Sequence, residues 1–300
     1  MKSMSESAQR AKKSLGQNFL QDANIARKIV RTLDIGPQDS VLEIGPGPGA
    51  LTSIILDAEP RRLVLVEKDT YWAGERMRLD GPRRGVDSQE PLMFPGSGAL
   101  AMPEDGLPPD GRFSVLVADA LSIPWKRFST PWKFIGNLPY NVASPLMWEI
   151  FSRAGGLQKA VFMVQKEVGQ RIVAKPSTSA YGALSVWIQS FVAPTMEFIV
   201  PPQVFRPRPK VDSAVLSFLP LQRKGAEDRP AFPPGALAAT LHFCFQRRRK
   251  QLGGIVKAAG GPEGWSEELD IDPTLRPEAL SVEIFHKLAR TGIFSRKGLT

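Results

Sequence analysis

The run Ser40-Val41-Leu42-Glu43-Ile44 passes directly into Gly45-Pro46-Gly47-Pro48-Gly49, and Ala50 to Leu56 then continue with helical character. This succession of apolar strand, glycine loop and helix constrains the chain more than any other feature in it. A short apolar run bounded by glycines reads as a buried strand, and glycines alone take positive φ without penalty. The junction lets the backbone approach a bound group closely, as dinucleotide-type sites do at the first turn of an α/β domain. The spacing is G-x-G-x-G rather than G-x-G-x-x-G, so the loop alone also fits a tight structural turn.

The rest of the chain repeats the alternation. Asp22 caps a helix through about Leu33, with Ile25, Ile29, Val30 and Leu33 at helical spacing. Further strands are predicted at Arg61 to Val66, ending on Glu67, at Ser114 to Ala118, ending at Asp119, and at Lys133 to Ile135, leading into Gly136-Asn137-Leu138-Pro139-Tyr140. Helices at Ser144 to Phe151 and Tyr181 to Phe191, and strands at Ala160 to Val164 and Ser213 to Leu219, continue the series. Strands alternating with helices predict an α/β fold with a doubly wound, mostly parallel sheet, whose ligands sit outside the carboxyl ends of the strands. The polar strand ends are therefore expected to share one crevice.

Two segments interrupt this order. Gly81 to Arg112 holds six glycines and six prolines in 32 residues, and reads as a mobile surface insertion. Gly225 to Pro234 is polar and proline-rich, and Ala236 to Phe245 then reads as a helix running into Gln246-Arg247-Arg248-Arg249-Lys250. The expected organisation is a first domain over residues 1–220 and a small helical domain over 221–300.

Lysine and arginine number 39 against 30 acids, a net charge of +9 over 300 residues, which favours a polyanionic partner, nucleic acid first. With Cys244 as the only cysteine no intramolecular disulfide forms, which fits a reducing compartment. The first sixteen residues lack the apolar core of a signal peptide, and a cytoplasmic location is expected. Ala160 to Val164 and Val192 to Val200 are too short or too interrupted for the roughly 20 apolar residues of a membrane span. His242, His286 and Cys244 are too few for a zinc cage of the usual kind, and no metal is expected.

Several strand-end residues suit nucleoside chemistry. Glu67, twenty-two residues after Gly45, can accept hydrogen bonds from ribose hydroxyls, and as a strand-end acid it is expected to support little core. Asp119 suits an adenine amino group, or simply caps its strand. An exocyclic amine is a poor nucleophile because its lone pair is spread into the ring. The Asn137 side-chain oxygen and the Leu138 carbonyl, projected by the extended geometry that Pro139 imposes, can accept its two N–H bonds and redirect the lone pair. Tyr140 can stack on the base, a role phenylalanine is expected to fill nearly as well. The same four residues also fit a strand-end turn. Arg247, Arg248, Arg249 and Lys250 read either as an RNA-backbone contact or as a solvated face complementing a helix C-terminus.

These residues fall within longer motifs. Lys13-Ser14-Leu15-Gly16-Gln17-Asn18-Phe19-Leu20, Leu42-Glu43-Ile44-Gly45-Pro46-Gly47, Asn137-Leu138-Pro139-Tyr140-Asn141, Gln165-Lys166-Glu167-Val168, Pro207-Arg208-Pro209-Lys210-Val211-Asp212-Ser213-Ala214-Val215 and Phe245-Gln246-Arg247-Arg248 occur in that order. Over about Lys12 to Lys250 the sequence resembles the bacterial small-subunit ribosomal RNA adenine dimethyltransferases of the KsgA/RsmA type. The resemblance implies a Rossmann-like class I methyltransferase sheet with a C-terminal helical domain. It further implies S-adenosyl-L-methionine as methyl donor, and as substrate two adjacent adenines near the 3′ end of 16S rRNA in a small-subunit assembly intermediate, modified by a monomer. By motif, Asn18, Leu20, Gly45, Glu67, Asp119 and Asn137 would bind the cofactor, while Tyr140 and Phe205 would sandwich the flipped adenine. The sister class acting on 23S rRNA in antibiotic resistance, and a non-catalytic assembly factor, are the alternatives. This chain departs from the family's usual pattern in its long 81–112 insertion and in Gln251-Leu252-Gly253-Gly254, where a further Arg-Asn pair is more usual.

Overall fold

A computed structural model describes residues 17–77, 113–221 and 232–294. The 81–112 insertion, residues Lys13 to Gly16 and most of the polar stretch after Leu221 lie outside these. By compactness the chain divides into two units, one of residues 1–169 and 195–219 and the other of residues 170–194 and 220–300. The sequence reading places the boundary at 220; the structure also groups residues 170–194 with the C-terminal helices.

The first unit is built on β2 (Ser40–Ile44), β3 (Arg62–Glu67), β4 (Phe113–Val117), β5 (Trp132–Asn137), β6 (Leu157–Gln165), β7 (Val192–Val200) and β9 (Ser213–Pro220). A separate antiparallel pair joins β1 (Phe19–Leu20) to β8 (Phe205–Arg206). The seven strands lie in the order β4-β3-β2-β5-β6-β9-β7. The β3–β4, β2–β3, β2–β5 and β5–β6 pairs are parallel and β6–β9 is antiparallel. Val41 to Ile44 and Leu63 to Glu67 are buried without alternation, the signature of parallel strands covered on both faces.

Helix α1 (Ala23–Leu33) covers one face with Ala26, Ile29, Val30 and Leu33. The Asp22 carboxylate caps it, accepting from the N–H groups of Asn24 at 2.8 Å and Ile25 at 3.0 Å. Next come α2 (Thr52–Asp57), α3 (Thr70–Met77), α4 (Ala143–Arg153) and α5 (Lys166–Ile172). The expected doubly wound α/β architecture is present. The unforeseen strand of the seven-stranded sheet is β7, which lies at the end of the sheet order and alternates between more and less exposed positions. Pro194 within it hides the strand from pattern reading, yet proline is tolerated on edge strands.

The strand order reverses between β2 and β5, and such a switch point places a crevice at the carboxyl ends of the two strands. Ile44 pairs with Gly136 in register, so Gly45 and Asn137 emerge side by side. A side chain at Gly136 would stand 2.7 Å from the Ile44 carbonyl oxygen, so this close strand approach requires glycine.

The second unit is helical: α6 (Ala183–Gln189), α7 (Pro234–Gln246), α8 (Leu252–Ala259), α9 (Trp265–Leu269) and α10 (Val282–Thr291). Helix α7 packs against α6, α8 and α10. Tyr181, expected inside the helix that becomes α6, precedes it and is buried, its hydroxyl donating to the Leu280 carbonyl at 2.9 Å. Cys244 is buried in α7, and burial pushes its thiol up to about 12. A thiol so placed is inert at neutral pH.

Candidate functional site

Four adjacent strand ends open on a cleft within the first unit. It is lined by Gly45 and Gly47 after β2, Glu67 and Lys68 at the end of β3, Asp119 after β4, and Asn137 to Val142 after β5, with Gln17, Asn18 and Phe19 also on its wall. The expectation that the polar strand ends share one crevice holds for Gly45, Glu67, Asp119, Asn137, Leu138, Pro139 and Tyr140, and Asn18 joins them.

Gly45 has φ +65°, and a side chain there would meet nothing within 4 Å. The loop thus presents bare backbone to open space, as close contact with a ligand requires. Its N–H donates to the Val66 carbonyl at 2.9 Å, which ties the loop to β3.

Glu67 is only 5% exposed. One carboxylate oxygen accepts the Gly47 N–H at 3.0 Å and the other the Asp69 N–H at 2.8 Å. Burial raises its pKa, against the lowering effect of these bonds. The expectation that Glu67 supports little core is corrected here. It pins the glycine loop to the end of β3, so removing the carboxylate disturbs the loop as well as any ribose contact.

Asp119 accepts from the Leu121 N–H at 3.0 Å and from Lys68 Nζ at 2.7 Å. Burial pushes its pKa up, but the bonds from Lys68 and Leu121 outweigh this and hold it below the ordinary aspartate value. It is therefore both a cap and a charged acceptor on the cleft wall.

Asn137 carries the most specific geometry. Its Nδ2 donates to the Asn18 carbonyl at 2.9 Å, which fixes the amide's orientation and leaves Oδ1, the acceptor, with no partner among the described residues. The Leu138 N–H donates to the Met163 carbonyl at 3.0 Å, and the Pro139 carbonyl accepts from Val142 and Ala143 as α4 begins. The Leu138 carbonyl accepts from no backbone N–H among the described residues. Tyr140 is half-buried, and its hydroxyl lies 2.8 Å from the Oγ of buried Ser213 on β9. Burial raises the phenol's pKa, so it stays protonated at neutral pH.

Two expected cofactor or base contacts are not brought to the cleft. Leu20 and Phe205 face each other across the β1–β8 pair, are 5% and 1% exposed, and belong to the hydrophobic core. The sandwich of Tyr140 and Phe205 is not assembled, because Phe205 points into the core beneath the pair. The basic run is in the second unit. There Arg248 pairs with Glu278 and donates to the Ser179 carbonyl, and the Arg247 guanidinium stacks 4.0 Å over Phe243. The run is thus less uncompensated than its sequence suggests, and Arg249 and Lys250 are its exposed members.

Sequence reasoning assigned nothing to Glu43, Lys68, Phe19 or Ser213. Glu43 is fully buried at the end of β2, accepts from the Thr52 hydroxyl at 2.7 Å, and has its pKa raised to about 7, chiefly by burial. A carboxyl group with a raised folded-state pKa holds its proton more tightly folded than unfolded. Its contribution is therefore complete below the unfolded value and is lost as pH rises through about 7. Between pH 4.5 and 7.5 the wild-type protein should lose on the order of 3 kcal/mol from this group, relative to Glu43→Gln. Denaturant unfolding of both proteins across that range measures the difference, and a pH-independent gap would show that Glu43 does not titrate in this way.

A family model for ribosomal RNA adenine dimethylases matches residues 8–78 and 100–263. The chain belongs to the ribosomal RNA adenine dimethylase family. Residues 79–99, which the family model passes over, fall largely within the expected insertion. Among curated relatives, the ribosomal RNA small subunit methyltransferase A of Oleidesulfovibrio alaskensis is 54% identical over 287 residues, covering 94% of this chain and 91% of its own. The protein of that name from Lawsonia intracellularis is 40% identical, covering 94% and 93%. The fold of this dimethylase family member is also that of a dimethyladenosine transferase from Plasmodium falciparum, with TM-score 0.67, 23% identity and coverage of 91% and 97%. The 23S rRNA methyltransferase ErmE aligns with TM-score 0.59, 20% identity and coverage of 93% and 100%. These likenesses show a shared α/β fold. Among the described residues no helix is long and apolar enough to cross a membrane.

Proposed function

We propose that the chain is a 16S rRNA adenine N6,N6-dimethyltransferase that uses S-adenosylmethionine to modify two adjacent adenines near the 3′ end of the small-subunit RNA during its assembly. The observation that carries this reading is the Asn137 amide, held by the Asn18 carbonyl so that its oxygen remains an acceptor on the cleft wall beside the Leu138 carbonyl. That pair matches the two N–H bonds of an exocyclic amine.

The residues fit the cofactor that the family implies. Open backbone at Gly45, buried Glu67 and charged Asp119 line one side of the same cleft, with Asn18 nearby. S-adenosylmethionine supplies an activated methyl group, which removes the need for a metal or a covalent nucleophile. Asn137 and Leu138 orient the amine and localise its lone pair as attack proceeds. Tyr140, anchored by Ser213, offers an aromatic face for a base taken out of its stack. In this conformation Tyr140 is the one ring of the expected sandwich on the cleft wall, and a part for Phe205 requires β8 to move outward. Arg249 and Lys250 are the members of the basic run best placed for RNA phosphates.

The small-subunit names of the curated relatives favour this substrate over 23S rRNA. A non-catalytic assembly factor would have no use for a positioned amine acceptor. The test is to incubate the purified chain with unmethylated small subunits and S-adenosylmethionine and map the product. Dimethyladenosine at two adjacent positions near the 3′ end is expected. Methylation confined to 23S rRNA would overturn the substrate, and binding without methyl transfer would overturn the enzyme.

A further inference from the structure

From the last residue of β8 toward β9 the chain reads Arg206-Pro207-Arg208-Pro209-Lys210-Val211. Arg206, Arg208 and Lys210 are exposed, while Pro209 is buried. Two prolines fix φ at alternate positions, so the cations project from a backbone with little freedom. Among the described residues no carboxylate pairs with any of the three. Asp212, the acid next in sequence, is taken by Lys166, whose Nζ lies 3.1 Å from its carboxylate and whose N–H donates to its carbonyl at 3.0 Å. Three like charges within five residues repel one another unless a polyanion is bound.

The loop's place relative to the cleft is fixed. Ser213, three residues after Lys210, holds the Tyr140 hydroxyl, and three residues of extended chain span about 10 Å. Loop, β9 and cleft all belong to the first unit, whereas Arg247 to Lys250 belong to the second. A base stacked on Tyr140 carries a phosphate on either side, and the Tyr140–Ser213 contact ties that base to the strand into which the loop leads.

We propose that Arg206, Arg208 and Lys210 form a phosphate clasp for the RNA strand flanking the target adenine. This rests on the rRNA-methylation reading and adds to it a second RNA contact, one rigidly coupled to the base-binding ring. Phosphate contacts of this kind position a strand without reading its sequence.

The test compares R206Q/R208Q/K210Q with the charge-keeping R206K/R208K. Affinity for unmethylated small subunits is measured from 50 to 200 mM salt. If two or three single-strand phosphates are contacted, the glutamine variant should flatten log K against log salt by roughly 1.4 to 2.1 units. Wild type then loses about 7- to 18-fold more affinity than the variant over that range. The lysine variant should keep the wild-type slope. KM for subunits should rise in the glutamine variant with kcat little changed, the mark of uniform binding. Unchanged S-adenosylhomocysteine affinity and melting temperature in both variants establish that the fold is intact. A wild-type slope in the glutamine variant overturns the clasp. Failure of the wild-type chain to methylate small subunits overturns the substrate reading instead, and the same salt series on the RNA it does methylate then decides the clasp.

Discussion

Replacing Asn137 with alanine is expected to slow single-turnover methylation by about 100- to 1000-fold, the usual loss when one preorganised acceptor or donor is removed from a site of developing charge. Attack makes the amine nitrogen more positive, so an acceptor on its N–H bonds gains strength along the reaction coordinate. The loss therefore falls on the chemical step more than on RNA affinity. The structure adds a second consequence. Because Nδ2 holds the Asn18 carbonyl, alanine also frees part of the cleft wall, and cofactor affinity should weaken as well. The rate must then be measured with cofactor saturating. Asn137→Asp separates the two roles: it keeps an acceptor but sets a carboxylate against the Asn18 carbonyl. A saturated single-turnover rate near wild type in Asn137→Ala would remove the amide from the chemistry.

Tyr140→Ala should raise the cost of capturing the extruded adenine by roughly 1 to 3 kcal/mol, about 5- to 150-fold in subunit KM, since base–aromatic stacking is worth that much. The sequence alone suggests that phenylalanine restores nearly everything. The hydroxyl's bond to buried Ser213 changes this expectation. Tyr140→Phe keeps the ring face but leaves the Ser213 hydroxyl unpaired, at a cost of about 1 kcal/mol, so it should fall between wild type and alanine. Adding Ser213→Ala to Tyr140→Phe removes the stranded hydroxyl and should recover part of the loss. A Phe variant as defective as Ala would mean that the hydroxyl, not the ring, carries the interaction.

What the sequence revealed and what it concealed divide along a physical line. Gly45, Glu67, Asp119 and Asn137 were legible because each ends a short apolar run, and parallel strands bring such ends together whatever the intervening chain does. The β2–β5 register then sets Gly45 beside Asn137 without further information. Partners far apart in sequence were not legible. The hydroxyl pair of Tyr140 and Ser213 spans 73 positions, and Arg248 meets Glu278 across 30. Nothing local marks either contact. Phe205 was misplaced for a related reason: its motif fixes its neighbours in the chain but not which way a two-residue strand turns its side chain. Strand β7 was hidden by Pro194, whose meaning depends on whether the strand is an edge.

The division of the chain has a practical consequence for dissecting the protein. The polypeptide leaves the sheet unit after residue 169, returns at 195 and leaves again after 219, so neither half can be excised by one cut. Truncation at residue 220, where composition invites it, would strip α7 and α10 from α6 while α6 stayed with the sheet, baring the buried Val186, Trp187 and Ile188. A tail fragment expressed alone would lack that same helix. Either fragment would expose apolar surface to aggregation, and a failure of either to act would report a torn core rather than a missing function. Separating the roles of the two units calls for point substitutions in the whole chain, or for a rearranged gene that carries residues 170–194 along with the tail.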